Sequence, residues 1–111
     1  MEEVSIPQQK SFLFNIFNPD DVEDLGDLRN RRELCSLCLM NGISIDNQNY
    51  DSKVLAVGGY KNRATGDYQE SCEVVDLQIG IWKSSAKLKH YRLSPFVVSL
   101  GNDSALVIGG T

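Results

Sequence analysis

Apolar residues in the second half of the chain come in short runs closed by glycine. Residues 53–59 read KVLAVGG and residues 104–110 read SALVIGG. Each run is β-branched, too short for a helix and bounded by polar residues, which is the pattern of a buried strand. Between them, SCEVVDL (71–77), WKSSAKL (82–88) and SPFVVSL (94–100) predict three more strands. Pro95 opens the last of these, at a position where a strand tolerates proline. The polar stretch YKNRATGDYQE (60–70) predicts a loop, and Gly80 and the run Gly101-Asn102-Asp103 predict turns. Strands at this spacing, with no convincing helix among them, predict an antiparallel all-β fold.

The pairs Gly58-Gly59 and Gly109-Gly110 stand 51 residues apart (109 − 58). Glycine is a poor strand former, so a pair at the end of an apolar run needs a reason. A bend, a positive φ or the close approach of another backbone would each supply one. Gly58-Gly59, Val75-Asp76, Trp82, Arg92 and Gly109-Gly110 follow one another in that order. In this, residues 53–111 resemble a kelch repeat running into the next one, with Val75 in place of the family's tyrosine. The resemblance implies antiparallel four-stranded blades and a partial β-propeller of about two blades. It implies structural roles for Gly58, Gly59, Asp76, Trp82, Arg92, Gly109 and Gly110, with Trp82 buried between blades and Arg92 bonding carbonyls or a carboxylate. A glycine bulge in an unrelated sandwich is the alternative. A phosphate-cradling loop fits poorly, because VGGY lacks the G-x-G-x-x-G or G-K-[ST] context.

The first half lies under the second as a degenerate copy. LRNRRELCSLCLMNG (28–42) aligns with LKHYRLSPFVVSLGN (88–102), Leu28 under Leu88 and Arg32 under Arg92, with CSLCLM as a strand. NIFNP (15–19) resembles the family's Tyr-Asp-Pro step, with Phe17 in the aromatic slot and Asn18 in place of the acid. No tryptophan lies between Phe17 and Arg32; Asp24 or Leu25 occupies that region. The expected organisation is an N-terminal tail over 1–10, a degenerate repeat over 11–59, and a repeat over 60–111 that runs into the start of the next. A short helix competes for residues 19–34. Asn18 would cap it, Pro19 would open it, and Asp20, Asp21, Glu23 and Asp24 would sit at its positive end. Arg29, Arg31 and Arg32 would sit at the other end, and Gly26 counts against it.

Hydrophobic residues at 41% and charged residues at 23% argue against wholesale disorder. A net charge of −4 gives nucleic acid or an anionic membrane no cationic footprint to bind. No stretch is apolar enough for a membrane helix, and Glu2 and Glu3 do not make the basic start of a secretory signal, so a cytoplasmic location is expected. Three cysteines, an odd count, then predict reduced thiols. Cys35-x-x-Cys38 has the spacing of half a zinc site or a redox pair, but only Cys72 and His90 are left to complete a tetrahedron. The plainer reading is two small apolar thiols in a strand, and no metal or cofactor is expected. His90 lies in a cationic run with Lys83, Lys87, Lys89 and Arg92, either a solvated face or a patch for an acidic partner. No Ser/His/Asp set is legible, and the carboxylates from Asp20 to Asp27 have no acid/base counterpart, so the chain is not expected to be an enzyme.

The resemblance implies a protein–protein interaction module, such as the substrate-recognition part of a ubiquitin ligase adaptor or an actin-binding propeller. Binding residues concentrate on loops, which points to Tyr60, Arg63 and Tyr68 in the 60–70 loop and Tyr50 in the long turn over 43–52. The alternatives are an enzyme-associated propeller of the galactose-oxidase type, whose copper ligands have no evident counterparts here, and a non-functional truncated fragment. About two blades cannot close a ring of the usual four to eight. Self-association of the isolated chain is therefore expected, with strand edges at 53–57 and 105–108 as templates.

Overall fold

The computed structural model describes residues 9–43, 50–101 and 104–111. It is all-β, and every sheet in it is antiparallel. Strands β1 (Lys10–Asn15) and β2 (Asn18–Asp27) form a hairpin. Strands β3 (Ser36–Ile43), β4 (Tyr50–Val57), β7 (Ser71–Asp76) and β8 (Trp82–Lys87) make a four-stranded sheet in that spatial order. Two short strands, β5 (Tyr60–Asn62) and β6 (Asp67–Tyr68), pair within the stretch expected to be a loop. Strands β9 (Phe96–Ser99) and β10 (Ala105–Ile108) form the last hairpin. The four-stranded sheet crosses the 59/60 boundary expected between two repeats. Two of its members, β3 and β4, precede that boundary and two, β7 and β8, follow it, while SPFVVSL belongs to a separate hairpin. No helix among the described residues is long and apolar enough to cross a membrane.

The helix over 19–34 does not form, because residues 18–27 run as β2 against β1. Gly26 at φ 79° is incompatible with helical backbone, and its amide bonds the Asp24 carboxylate at 2.7 Å. The acids that would have favoured a helix start instead face solvent, and Leu25 turns inward. A second correction concerns the edges. The segment 53–57 is interior, with β3 on one side of β4 and β7 on the other.

Alternate residues of the sheet serve opposite faces. On one face Ala56, Val75 and Trp82 pack with Leu28, and Val54 and Leu77 close around them. This core lies toward the β1–β2 hairpin: the Trp82 indole Nε1 donates to Ser11 Oγ of β1 at 3.0 Å. The opposite face carries Cys38, Met40, Val57 and Cys72, all buried, and lies toward β9–β10.

The hairpins reproduce much of the register of the two halves of the central sheet. In β7–β8 the pairs are Ser71↔Lys87, Glu73↔Ser84, Val74↔Lys83 and Val75↔Trp82. In β1–β2 they are Lys10↔Asp27, Phe12↔Asp24, Leu13↔Glu23 and Phe14↔Val22, with an irregularity at the same place; a second one, before Asn15↔Asn18 at the turn, has no counterpart in β7–β8. Likewise Ser36↔Val57 through Leu39↔Val54 in β3–β4 match Phe96↔Ile108 through Ser99↔Ala105 in β9–β10. This register corrects the sequence alignment of the first half. Phe14-Asn15, not Phe17-Asn18, stands where Val75-Asp76 stands; Ile16 and Phe17 form the turn. Val22, rather than Asp24 or Leu25, takes the place of Trp82.

The connections repeat as well. Leu34 at φ 58° and Ser94 at φ 47° precede β3 and β9. Gly58 and Gly59, at 68° and 98°, end β4 as Gly109 and Gly110, at 70° and 93°, end β10. Glu33 and Tyr60 exchange backbone bonds of 3.0 and 2.7 Å, and Leu93 and Thr111 exchange bonds of 3.1 and 3.2 Å. A Cβ on Gly59 would lie 2.6 Å from the Glu33 carbonyl, and one on Gly110 would lie 2.8 Å from the Leu93 carbonyl. Close backbone approach is therefore the reason both second positions are glycine.

Candidate functional site

The β5–β6 hairpin and the linker before β9 bring three tyrosines into one stack. Tyr60 and Tyr68 face each other across the hairpin, with ring centroids 5.2 Å apart. Tyr68 stacks in turn on Tyr91, with centroids 3.8 Å apart and planes 12° from parallel. Tyr68 and Tyr91 are exposed, and Tyr60 is half-buried. The phenol of Tyr68 is raised above its usual value, chiefly because an ionised Tyr91 beside it would repel its charge, and secondarily by lost hydration.

Local bonds shape the tip of this hairpin. The Ala64 amide donates to Asn62 Oδ1 at 3.0 Å, the Thr65 hydroxyl to Asp67 Oδ2 at 2.9 Å, and the Gly66 amide to the Arg63 carbonyl at 3.3 Å. Gly66, at φ 76°, makes the turn possible. Glu33 ties the base of the tip: its carboxylate accepts from the Arg63 amide at 3.1 Å and pairs with Arg31 at 3.1 Å. Arg63 and Lys61 are exposed on the same hairpin. A row of exposed aromatic faces can stack on a flat or extended polar ligand.

Of the binding residues expected from the sequence, Tyr60, Arg63 and Tyr68 thus lie on one hairpin. The side chain of Tyr50 and the turn over 44–49 lie outside the described residues. Tyr91 was missed; it sits in the cationic run beside His90, and only the fold brings it to Tyr68. Within that run Lys83, Lys87, Lys89 and His90 are exposed.

The residues expected to be structural occupy interior or joining positions. Trp82 is buried. Asp76 shapes the turn after β7: its carboxylate accepts from the Gln78 amide at 2.9 Å and its carbonyl from the Gly80 amide at 2.8 Å. Arg92 Nη1 donates to the Gly109 carbonyl at 2.6 Å, and the Arg92 carbonyl accepts from the Gly59 amide at 3.0 Å.

Arg32, the counterpart of Arg92, holds a larger network. Its guanidinium donates to Glu73 Oε2 at 2.8 Å, to the carbonyls of Gly58 and Ser71 at 3.1 and 2.5 Å, and to Ser71 Oγ at 2.8 Å. Glu73 is fully buried and also accepts from the amides of Arg29 and Asn30. Sequence reading passed over Glu73, whose one signal is a lone acid in the apolar strand SCEVVD. The network fixes the segment between β2 and β3 against β4 and β7, and it has the character of a structural joint.

Cys38 and Cys72 are buried on one face of the sheet, and Cys35 lies just before β3. Burial raises the thiols of Cys35 and Cys72 above their usual value, and the positive charge of Arg32 opposes that rise in both. No group of three or more His, Cys, Asp or Glu side chains among the described residues is arranged to hold a metal ion. No family model matches this chain, and no curated protein is significantly similar to it.

Proposed function

We propose that this chain is a propeller-type interaction module that binds an extended segment of another protein on the Tyr60–Tyr68–Tyr91 stack. The observation that carries the reading is the stack itself. Three aromatic rings are held in one stack by a two-stranded hairpin and a linker, two of them exposed, with an exposed Arg63 at the tip of the same hairpin. Tyrosine and arginine supply much of the binding energy at protein interfaces, and loops on a rigid scaffold are where such residues gather. The order of Gly58-Gly59, Asp76, Trp82 and Arg92, which resembles the kelch pattern, supports the propeller part of the reading. Substrate recognition within a ubiquitin ligase and actin binding are the roles that resemblance implies.

The test is selection of peptides from a displayed library on the wild-type chain, followed by binding to Tyr68→Ala, Tyr91→Ala and Arg63→Ala variants whose folding is checked by near-UV dichroism. Selected peptides should lose at least about tenfold in affinity on the tyrosine variants, the effect of removing one hot-spot ring. Peptides that bind the folded variants and the wild type equally would overturn the reading.

A further inference from the structure

We infer that this chain associates head to tail with a second copy of itself, β10 of one copy pairing antiparallel with β1 of the next. The product is a second four-stranded sheet in the order β9, β10, β1, β2. The central sheet of the same molecule supplies the template. The β9–β10 hairpin has the register of β3–β4, the half that ends on the edge joined to β7. The β1–β2 hairpin has the register of β7–β8, the half that begins on the edge joined to β4. The chain thus carries a first half at one end and a second half at the other. Among the described residues, neither β10 nor β1 has a partner beyond its own hairpin.

The β4–β7 register fixes how the two edges meet. Its pairs Val54↔Val75, Leu55↔Val74, Ala56↔Glu73 and Val57↔Cys72 become Ala105↔Phe14, Leu106↔Leu13, Val107↔Phe12 and Ile108↔Ser11 of the second copy. The flanking bonds have counterparts too: the Leu88 amide donates to the Glu70 carbonyl after β8, and the Leu28 amide donates to the Gln9 carbonyl after β2.

The open apolar surfaces are complementary in the same sense. β9–β10 covers only part of the sheet face it lies toward, leaving a cleft of about 500 Å³ lined by Cys72, Val74, Leu88 and Val107. In the paired assembly the outward side of the second copy's β1–β2 hairpin falls on that cleft. Phe12, 61% exposed, and Val22 lie on that side. On the other face Leu37, 63% exposed, and Leu39 lie uncovered, beside the position that β9–β10 of the preceding copy takes. Such an interface joins two different surfaces, so it propagates into a ring or a filament rather than stopping at a two-fold dimer.

One residue makes the register testable. Phe12 occupies the position of Glu73, so Phe12→Glu would set a carboxylate against Arg92 of the neighbouring copy, as Glu73 meets Arg32. An unspecific apolar contact would be weakened by that charge, and the proposed pairing would be strengthened. On β4, the amides that point to β7 include that of Gly58. By alternation Val107, the counterpart of Ala56, points its amide to the free edge of β10, and Val107→Pro removes that donor. Sedimentation velocity on the 111-residue chain across a concentration series tests both. The wild type should form assemblies larger than a monomer, Val107→Pro should not, and Phe12→Glu should assemble at a concentration at least about tenfold lower. A monomeric wild type, unchanged assembly by Val107→Pro, or weaker assembly by Phe12→Glu would each overturn the proposal.

Discussion

Arg32 Nε lies 2.8 Å from Glu73 Oε2, and both side chains are sealed from solvent. Removing one partner of a buried pair leaves an uncompensated charge and typically costs about 3–5 kcal/mol. Glu73→Ala should therefore lower stability by that order, measured by urea unfolding. It also frees the amides of Arg29 and Asn30. A Glu73→Ala variant within a few tenths of the wild type would mean that the pair fixes nothing.

Trp82 fills the core beside Leu28, Ala56 and Val75. Trp82→Ala should cost about 3–5 kcal/mol and erase most of the near-UV signal. Trp82→Phe keeps the apolar contact and loses the bond to Ser11, at a cost closer to about 1 kcal/mol. If both variants cost the same in thermal unfolding, the indole bond and not the ring would be the important part.

Gly58 and Gly109 share a backbone conformation, at φ 68° and 70°, but not a neighbourhood. A Cβ on Gly58 would collide with the Arg92 carbonyl, whereas one on Gly109 meets nothing within 4 Å. Gly109→Ala carries only the left-handed penalty, on the order of 1–2 kcal/mol. Gly58→Ala should cost clearly more. The comparison is made by unfolding at a protein concentration low enough to keep the chain monomeric.

The thiols of Cys35 and Cys72 sit above the ordinary value of 9.0, chiefly through burial. The folded chain therefore holds those protons more tightly than the unfolded one. The stability they contribute is fully present below the ordinary thiol value and is lost as pH rises through the raised folded value. Alkylation by iodoacetamide should accordingly be slow at neutral pH relative to urea-unfolded chain, since the thiolate is the nucleophile. Equal rates in the folded and unfolded states would contradict the burial.

The runs before the two glycine pairs were legible as strands because they are β-branched and end in residues whose positive φ, and at Gly58, Gly59 and Gly110 close backbone contacts, call for glycine. The first half was harder for physical reasons. In β2 residues 20–24 are exposed on both sides of the strand, so its acids mimic the charged start of a helix. The dipeptide Phe-Asn also occurs twice, at 14–15 and 17–18, and only the strand register separates the two. Val22 gave no hint that it takes the place of Trp82, because the pattern is carried by the partner strand and not by the residue type. Within the candidate site, Tyr60 and Tyr68 were legible as loop aromatics. Tyr91 was not, since its contact spans the fold.

The segment between β2 and β3 has a mechanical consequence. Tension applied at the N-terminal end of the chain must enter the central sheet through residues 28–35, where Glu73 of β7 and Tyr60 of β5 grip it. The load passes from an outer hairpin to the middle strands β4 and β7 without first peeling β3 away. Glu73 is therefore a rivet: under pulling, the β1–β2 hairpin should unzip long before the sheet behind it is sheared.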